Sequence, residues 1–161
     1  MDYVQPAVPA YAQVSSQATV CAAEASRRYD VPELLLHAII AKEGGRSGQW
    51  VKNTNGSYDL GLSQINTSWA THFRQYGIRL EHLASNDCTN IAASAYILKY
   101  NLLRQGNDWF KAIMAYHTGL GGLQTREGYR RGYYYAKDVV GYWWGFQRYV
   151  ESHQVASSSV N

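Results

Sequence analysis

Apolar residues cluster most densely in Leu34-Leu35-Leu36-His37-Ala38-Ile39-Ile40-Ala41, an oily run that closes on Lys42-Glu43 and stops at Gly44-Gly45. Asp30-Val31-Pro32-Glu33 before it reads as a helix start, with a capping Asp, an early Pro and a Glu three residues after the Asp. An earlier helix is expected over Thr19 to Tyr29. A later one covers Trp69 to Tyr76, capped by Thr67 or Ser68 and stopped by Gly77. Asp87 opens a helix through Arg104 that repeats apolar residues at Ile91, Ala95, Leu98 and Leu102. Asp108 caps a short helix through Tyr116, followed by Gly119, and a last helix is expected over Tyr133 to Glu151. Between the second and third helices, Asn55-Gly56 is a hairpin turn signal, so residues 50 to 62 are expected to form a sheet of two or three strands. The ends differ in texture. Residues 1–16 hold two of the three prolines and read as a disordered leader; residues 154–161 read as a frayed, disordered tail. The pattern predicts one domain over 17–153, of α+β class and mainly α.

Two carboxylates stand out against this pattern. Glu43 ends the oily helix, where the apolar run and the negative end of the macrodipole both disfavour its charged form, so a raised pKa is expected. The bland alternative is an exposed, helix-terminal Glu. Asp59 lies sixteen residues later, beside the hairpin, in a polar turn where it should stay ionised. Its bland alternative is a turn Asp bonding its own backbone. An acid in an apolar setting paired with one in a polar turn is the division of labour used by enzymes that cleave glycosidic bonds.

Composition adds bounds. The 161 residues are 46% hydrophobic, enough for one sizeable core. Fourteen tyrosines and five tryptophans suit a groove that is apolar and hydrogen-bonding at once, or simply a core and its rim. A net charge of +3, with only Arg126, Arg130 and Arg131 clustered, lacks the basic stripe of a nucleic-acid binder. No apolar run approaches the roughly 20 residues of a membrane span. Met1 to Pro6 carries no signal-peptide apolar region, although Ala10-Tyr11-Ala12 has the small-x-small form of a cleavage site. Five histidines show no metal-ligand spacing, and His37 reads as a helix-packing residue. The two cysteines, Cys21 and Cys88, are compatible with one disulfide or with two buried thiols.

Four ordered blocks carry a resemblance. Asn55-Gly56-Ser57-Tyr58-Asp59-Leu60-Gly61-Leu62-Ser63-Gln64-Ile65-Asn66, followed by Ser68-Trp69, resembles the active-site hairpin of c-type lysozymes and of lysozyme-like lytic transglycosylases. Tyr29-Asp30-Val31-Pro32 through Ala41-Lys42-Glu43 is similar to the transglycosylase helix that bears the catalytic Glu. Asp87-Cys88-Thr89-Asn90-Ile91, and Trp109 through Ala115-Tyr116-His117-Thr118-Gly119, match later family blocks in order and spacing. Within the family the chain most resembles the small transglycosylases that accompany secretion systems, conjugation machines and pili. The likeness covers roughly residues 20 to 120.

That resemblance implies a lysozyme-like fold with the hairpin beside an active-site cleft. It makes Glu43 the catalytic acid and base, with Asp59 as a second catalytic carboxylate. Ser63, Gln64, Asn66, Tyr116, His117 and Tyr135 become substrate-binding candidates, with Tyr116 placed beside Glu43 and able to hydrogen-bond it. Cys21 and Cys88 match the paired cysteines of the secretion-associated members. Several positions depart from the family pattern. Gly44 replaces the usual Ser, Ser63 stands where Met is common, and His117-Thr118 replaces Asn-Ala. The usual Glu-Thr before the late tyrosine is missing, so Tyr133 and Tyr134 compete with Tyr135 for the place facing the acid. The implied substrate is the peptidoglycan glycan strand, cut between N-acetylmuramic acid and N-acetylglucosamine to leave a 1,6-anhydro sugar. The implied protein is a monomer that uses no metal or cofactor, is periplasmic or otherwise exported, does not insert in the membrane or bind nucleic acid, and works with secretion, conjugation or pilus components. Asp59 keeps a hydrolytic muramidase as the near alternative, and a non-catalytic peptidoglycan-binding assembly factor as the distant one.

Overall fold

The computed structural model describes residues 16–158. The expected leader lies outside the described residues except for Ser16, as do the last three residues of the expected tail. Seven helices and three short strands follow in order: α1 (Ser16–Tyr29), α2 (Glu33–Glu43), β1 (Trp50–Lys52), β2 (Tyr58–Leu60), β3 (Ile65–Asn66), α3 (Ala70–Arg74), α4 (Leu80–Ser85), α5 (Asp87–Arg104), α6 (Trp109–Gly122) and α7 (Arg126–Ser158). The strands form one antiparallel sheet in the order β1-β2-β3, with Val51 opposite Asp59 and Asp59 opposite Asn66. Gly56, at the tip of the β1–β2 hairpin, has φ 85°, as the Asn-Gly signal required.

α2 is the centre of the larger core. Leu35, Leu36, Ala38 and Ile39 are sealed from solvent on different sides of it, because α1, α5 and α7 surround the helix. His37 is sealed with them, and burial pushes its pKa down to about 4, so it packs as a neutral ring. α5 buries Ile91, Ala95, Leu98 and Leu102 as expected. A second, smaller core joins Leu60 and Ile65 of the sheet to Phe73, Leu83, Ala93 and Ile97. Tyr116 packs against both cores, so the seam between them passes its ring. The Cys21–Cys88 disulfide is formed and ties α1 to the first turn of α5.

Several local expectations give way to packing. Asp30 does not cap α2. It ends α1 in the left-handed conformation at φ 54°, and Pro32 stands at the N-cap without a side-chain bond. The α1–α2 corner is closed instead by Ser26, whose carbonyl accepts from Val31 N–H and whose hydroxyl donates to Val31 O. α5 opens at Asp87 and runs through Arg104 as expected, with Asn86 as its cap accepting from Thr89 N–H. Asn66 caps a single 3₁₀ turn, Thr67–Trp69, ahead of a shortened α3, and α4 was not anticipated. α6 runs beyond Tyr116 and kinks at Gly119, whose φ of 73° is not helical. α7 begins seven residues before its expected start and continues into the first part of the expected tail. Its glycines disfavour helix by propensity, but Gly132 lets α7 come so near α6 that a β-carbon there would lie 3.1 Å from Met114 Cβ. No helix among the described residues is long and apolar enough to cross a membrane.

Candidate active site

α2 delivers Glu43 to the seam. The helix stops there because Gly44 takes φ 63° and returns its N–H to Ile40 O at 3.0 Å. The next residue, Gly45, lies directly against the loop after β2. A β-carbon at Gly45 would overlap the Gly61 carbonyl oxygen and come within 2.8 Å of Gln64 Nε2. Only glycine allows the end of α2 to approach the loop this closely.

That loop is built around one buried side chain. Asn90 of α5 donates from Nδ2 to Leu60 O and Leu83 O, each at 2.8 Å, and accepts Ser63 N–H at Oδ1, also at 2.8 Å. Tyr116 adds a bond from its hydroxyl to Ser63 O at 2.7 Å. Gln64, at φ 52°, turns its amide back to Gly61 O at 2.9 Å. The structure differs from two expectations here: an open side-chain contact at Ser63 and a Tyr116–Glu43 hydrogen bond. Ser63 is fully buried, so its side chain does not line an open groove, and the loop is held through its backbone. Tyr116 bonds Ser63 rather than Glu43, although both carboxylates act on its phenol, which burial and their charges push well above its ordinary pKa.

The residue that does bond Glu43 is Tyr135. Its hydroxyl donates to Glu43 Oε1 at 2.6 Å, with only 5% of the residue exposed. Tyr133 and Tyr134 are 46% and 54% exposed and face elsewhere, which resolves the three-way ambiguity left by the sequence. Outside this bond, Lys42 Nζ meets Asp138 Oδ2 at 2.7 Å, so neighbouring residues of α2 and α7 are joined twice. His117 lies flat on the Tyr135 ring, with centroids 4.6 Å apart and planes 6° from parallel.

Glu43 is half-buried and keeps part of its surface open to solvent. Desolvation raises its pKa from an ordinary 4.5 to about 7. The Tyr135 bond and the Lys42 charge oppose the rise, and the Asp59 charge adds to it. Asp59 comes from the middle of β2 and not from the expected polar turn, because both of its neighbours across the sheet pair with it; one of them, Asn66, donates to Asp59 Oδ1 at 2.8 Å. The same Asn66 amide reaches Ser57 Oγ at 3.0 Å, and its oxygen caps the 3₁₀ turn. Asn66 thus orients the second carboxylate. The arrangement holds a carboxyl protonated to a considerable degree near neutrality beside a hydrogen-bonded carboxylate. It can give a proton to a leaving oxygen while the second acid stabilises positive charge. Among the described residues no group of three or more His, Cys, Asp or Glu side chains is placed to hold a metal ion.

Sequence reasoning did not reach Asn90 or the Lys42–Asp138 pair. Asn90 lies in the Asp87–Ile91 segment, but its role depends on carbonyls 7 and 30 residues away.

Comparison with known proteins follows the same outline. The family model described as "Transglycosylase SLT domain" matches residues 20–139. Protein IpgF of Shigella flexneri is 33% identical over 120 residues, covering 74% of this chain and 76% of that protein. The X polypeptide of Escherichia coli K12 is 34% identical over 123 residues, 76% of this chain and 71% of its own length. Invasion protein IagB of Salmonella typhimurium is 31% identical over 100 residues, 62% of each chain.

Proposed function

This chain belongs to the transglycosylase SLT domain family and is a peptidoglycan lytic transglycosylase; from that premise we propose that Glu43 is the single acid and base of its reaction. The observation that carries this reading is the partly desolvated Glu43 carboxyl, raised to about 7 and held by Tyr135 within reach of the Asp59 charge. Protonated Glu43 gives its proton to the glycosidic oxygen between N-acetylmuramic acid and N-acetylglucosamine, and the C–O bond breaks. Asp59, oriented by Asn66, stabilises the oxocarbenium-like centre. The Glu43 carboxylate then takes the proton of the muramic acid 6-hydroxyl as that oxygen attacks its own anomeric carbon. The 1,6-anhydro sugar forms and the acid is restored. Gln64 borders the site as a sugar contact.

A hydrolytic outcome is the second reading, and the presence of Asp59 favours it: a carboxylate there can direct water to the same carbon. We place the enzyme in the periplasm or another exported setting, where the Cys21–Cys88 disulfide persists. Its task there is local opening of the wall for an envelope-spanning secretion, conjugation or pilus assembly. The name of one relative, an invasion protein, is in keeping with such a setting. The test is mass spectrometry of fragments released from purified sacculi by wild type and Glu43→Gln. Anhydro-muropeptides that vanish in the variant are expected. Reducing-end products would transfer the reaction to the hydrolytic reading. An unaffected variant would remove Glu43 from the chemistry.

A further inference from the structure

His117 occupies a place that the reaction above does not need for proton transfer. Its ring stacks on Tyr135 at a centroid distance of 4.6 Å, and Tyr135 holds its hydroxyl 2.6 Å from Glu43 Oε1. The same phenol ring has the Lys42 ammonium 6.0 Å from its centroid. Lys42 is itself fixed by Asp138, three residues after Tyr135 on α7. A phenol has two side-chain torsions, so a ring held from both α6 and α2 has little freedom left to move its hydroxyl.

We propose that His117 is a positioning residue: by stacking on Tyr135 it keeps the phenol hydroxyl on Glu43 and so governs how tightly that carboxyl holds its proton. The inference rests on the reading of Glu43 as the acid. The charges that act on His117 are Arg131 from α7, Lys42 from α2 and Asp59 from β2. Burial first, and the two cations after it, push its pKa below the ordinary imidazole value, so the ring is neutral at neutral pH and packs as a flat surface. On Glu43 the acting groups are Tyr135, Asp59 and Lys42. The Tyr135 bond favours the charged carboxylate, so loosening it lets the proton affinity rise. The ring of His117 retains exposed surface, so truncating it opens no cavity in the core.

The experiment compares wild type, His117→Ala and His117→Phe. Carboxyl ¹³C NMR follows the Glu43 titration without substrate, and turnover on sacculi gives kcat and KM. For His117→Ala the Glu43 midpoint should rise by roughly half a unit to one unit, and kcat should fall with KM unchanged. His117→Phe keeps a flat ring on Tyr135 and should restore both. An unmoved midpoint in His117→Ala, or a Phe variant no better than Ala, overturns the proposal. A rise in KM alone also overturns it, and makes His117 a sugar contact only. The two readings fail separately, since an inert wild type would sink the assigned reaction while the titration is read without any turnover.

Discussion

Replacing Glu43 by Gln should make the protein more stable, and by an amount that depends on pH. The folded carboxyl titrates at about 7 against an ordinary 4.5. That difference corresponds to about 3 kcal/mol, an upper figure because water in the cleft screens the open side of the group. The folded pKa lies above the unfolded one, so the protonated native state is favoured. The stability this provides is full below pH 4.5 and is lost as pH rises through about 7. Above that, wild type carries a desolvated carboxylate, whereas Gln fills nearly the same volume and never ionises. The assay is thermal or urea unfolding of both proteins from pH 4 to 8.5 at constant ionic strength, with the disulfide kept oxidised. The two should unfold nearly alike at pH 4 and separate progressively, reaching roughly 6–12 °C in Tm at the alkaline end for a chain of this size. Titrations elsewhere, including that of buried His37, are common to both proteins and largely cancel in the difference. A difference in Tm that stays constant across this range would refute the claim that Glu43 is held uncharged by its surroundings. Glu43 would then titrate alike in the folded and unfolded chain, against the trade of stability for function expected of a desolvated catalytic group.

The remaining predictions concern the supports of the site. Asp59→Asn removes a charge that raises Glu43, so the Glu43 midpoint and the alkaline limb of the pH–rate profile should both move down; a limb that does not move would show that the two acids are electrostatically independent. Asn90→Ala leaves the Leu60 and Leu83 carbonyls and the Ser63 N–H without their partner, and should cost about 2–4 kcal/mol in urea unfolding. A loss under about half a kcal/mol would mean that water replaces the amide freely. Reduction of Cys21–Cys88, which spans a sequence separation of 67, should lower stability by roughly 4 kcal/mol in the chain-entropy view, read as a fall in Tm under reductant that a Cys21→Ser/Cys88→Ser double variant does not show.

Much of the site was legible because its signals are local. The oily run ending in Glu43-Gly44 states both a helix and its stop, and the packing of that run between α1, α5 and α7 then desolvates the carboxyl at its end. Asn55-Gly56 states a hairpin, and Asp59 follows from the register beyond it. Asp30 shows where such reasoning ends. It has the type and position of a helix cap, yet the α1–α2 corner satisfies its own backbone through Ser26 and leaves Asp30 in the left-handed turn. α7 shows the reverse, since its glycines argue against a helix that the close approach of α6 requires.

By itself, then, the sequence determined the mainly helical class, the hairpin, and the two acids, one ending an apolar helix and one beside the hairpin; that Asp59 sits in a paired strand and not in a turn was left to the sheet register. Hydrophobic period, turn chemistry and charge act over a few residues and need no partner. Only the tertiary structure decided among Tyr133, Tyr134 and Tyr135, sealed Ser63 away from the cleft, gave Asn90 its three partners and laid His117 on the phenol. These contacts join residues from 7 to 92 positions apart, most of them 18 or more. Contacts at that separation are set by the packing of whole helices, which no local pattern encodes.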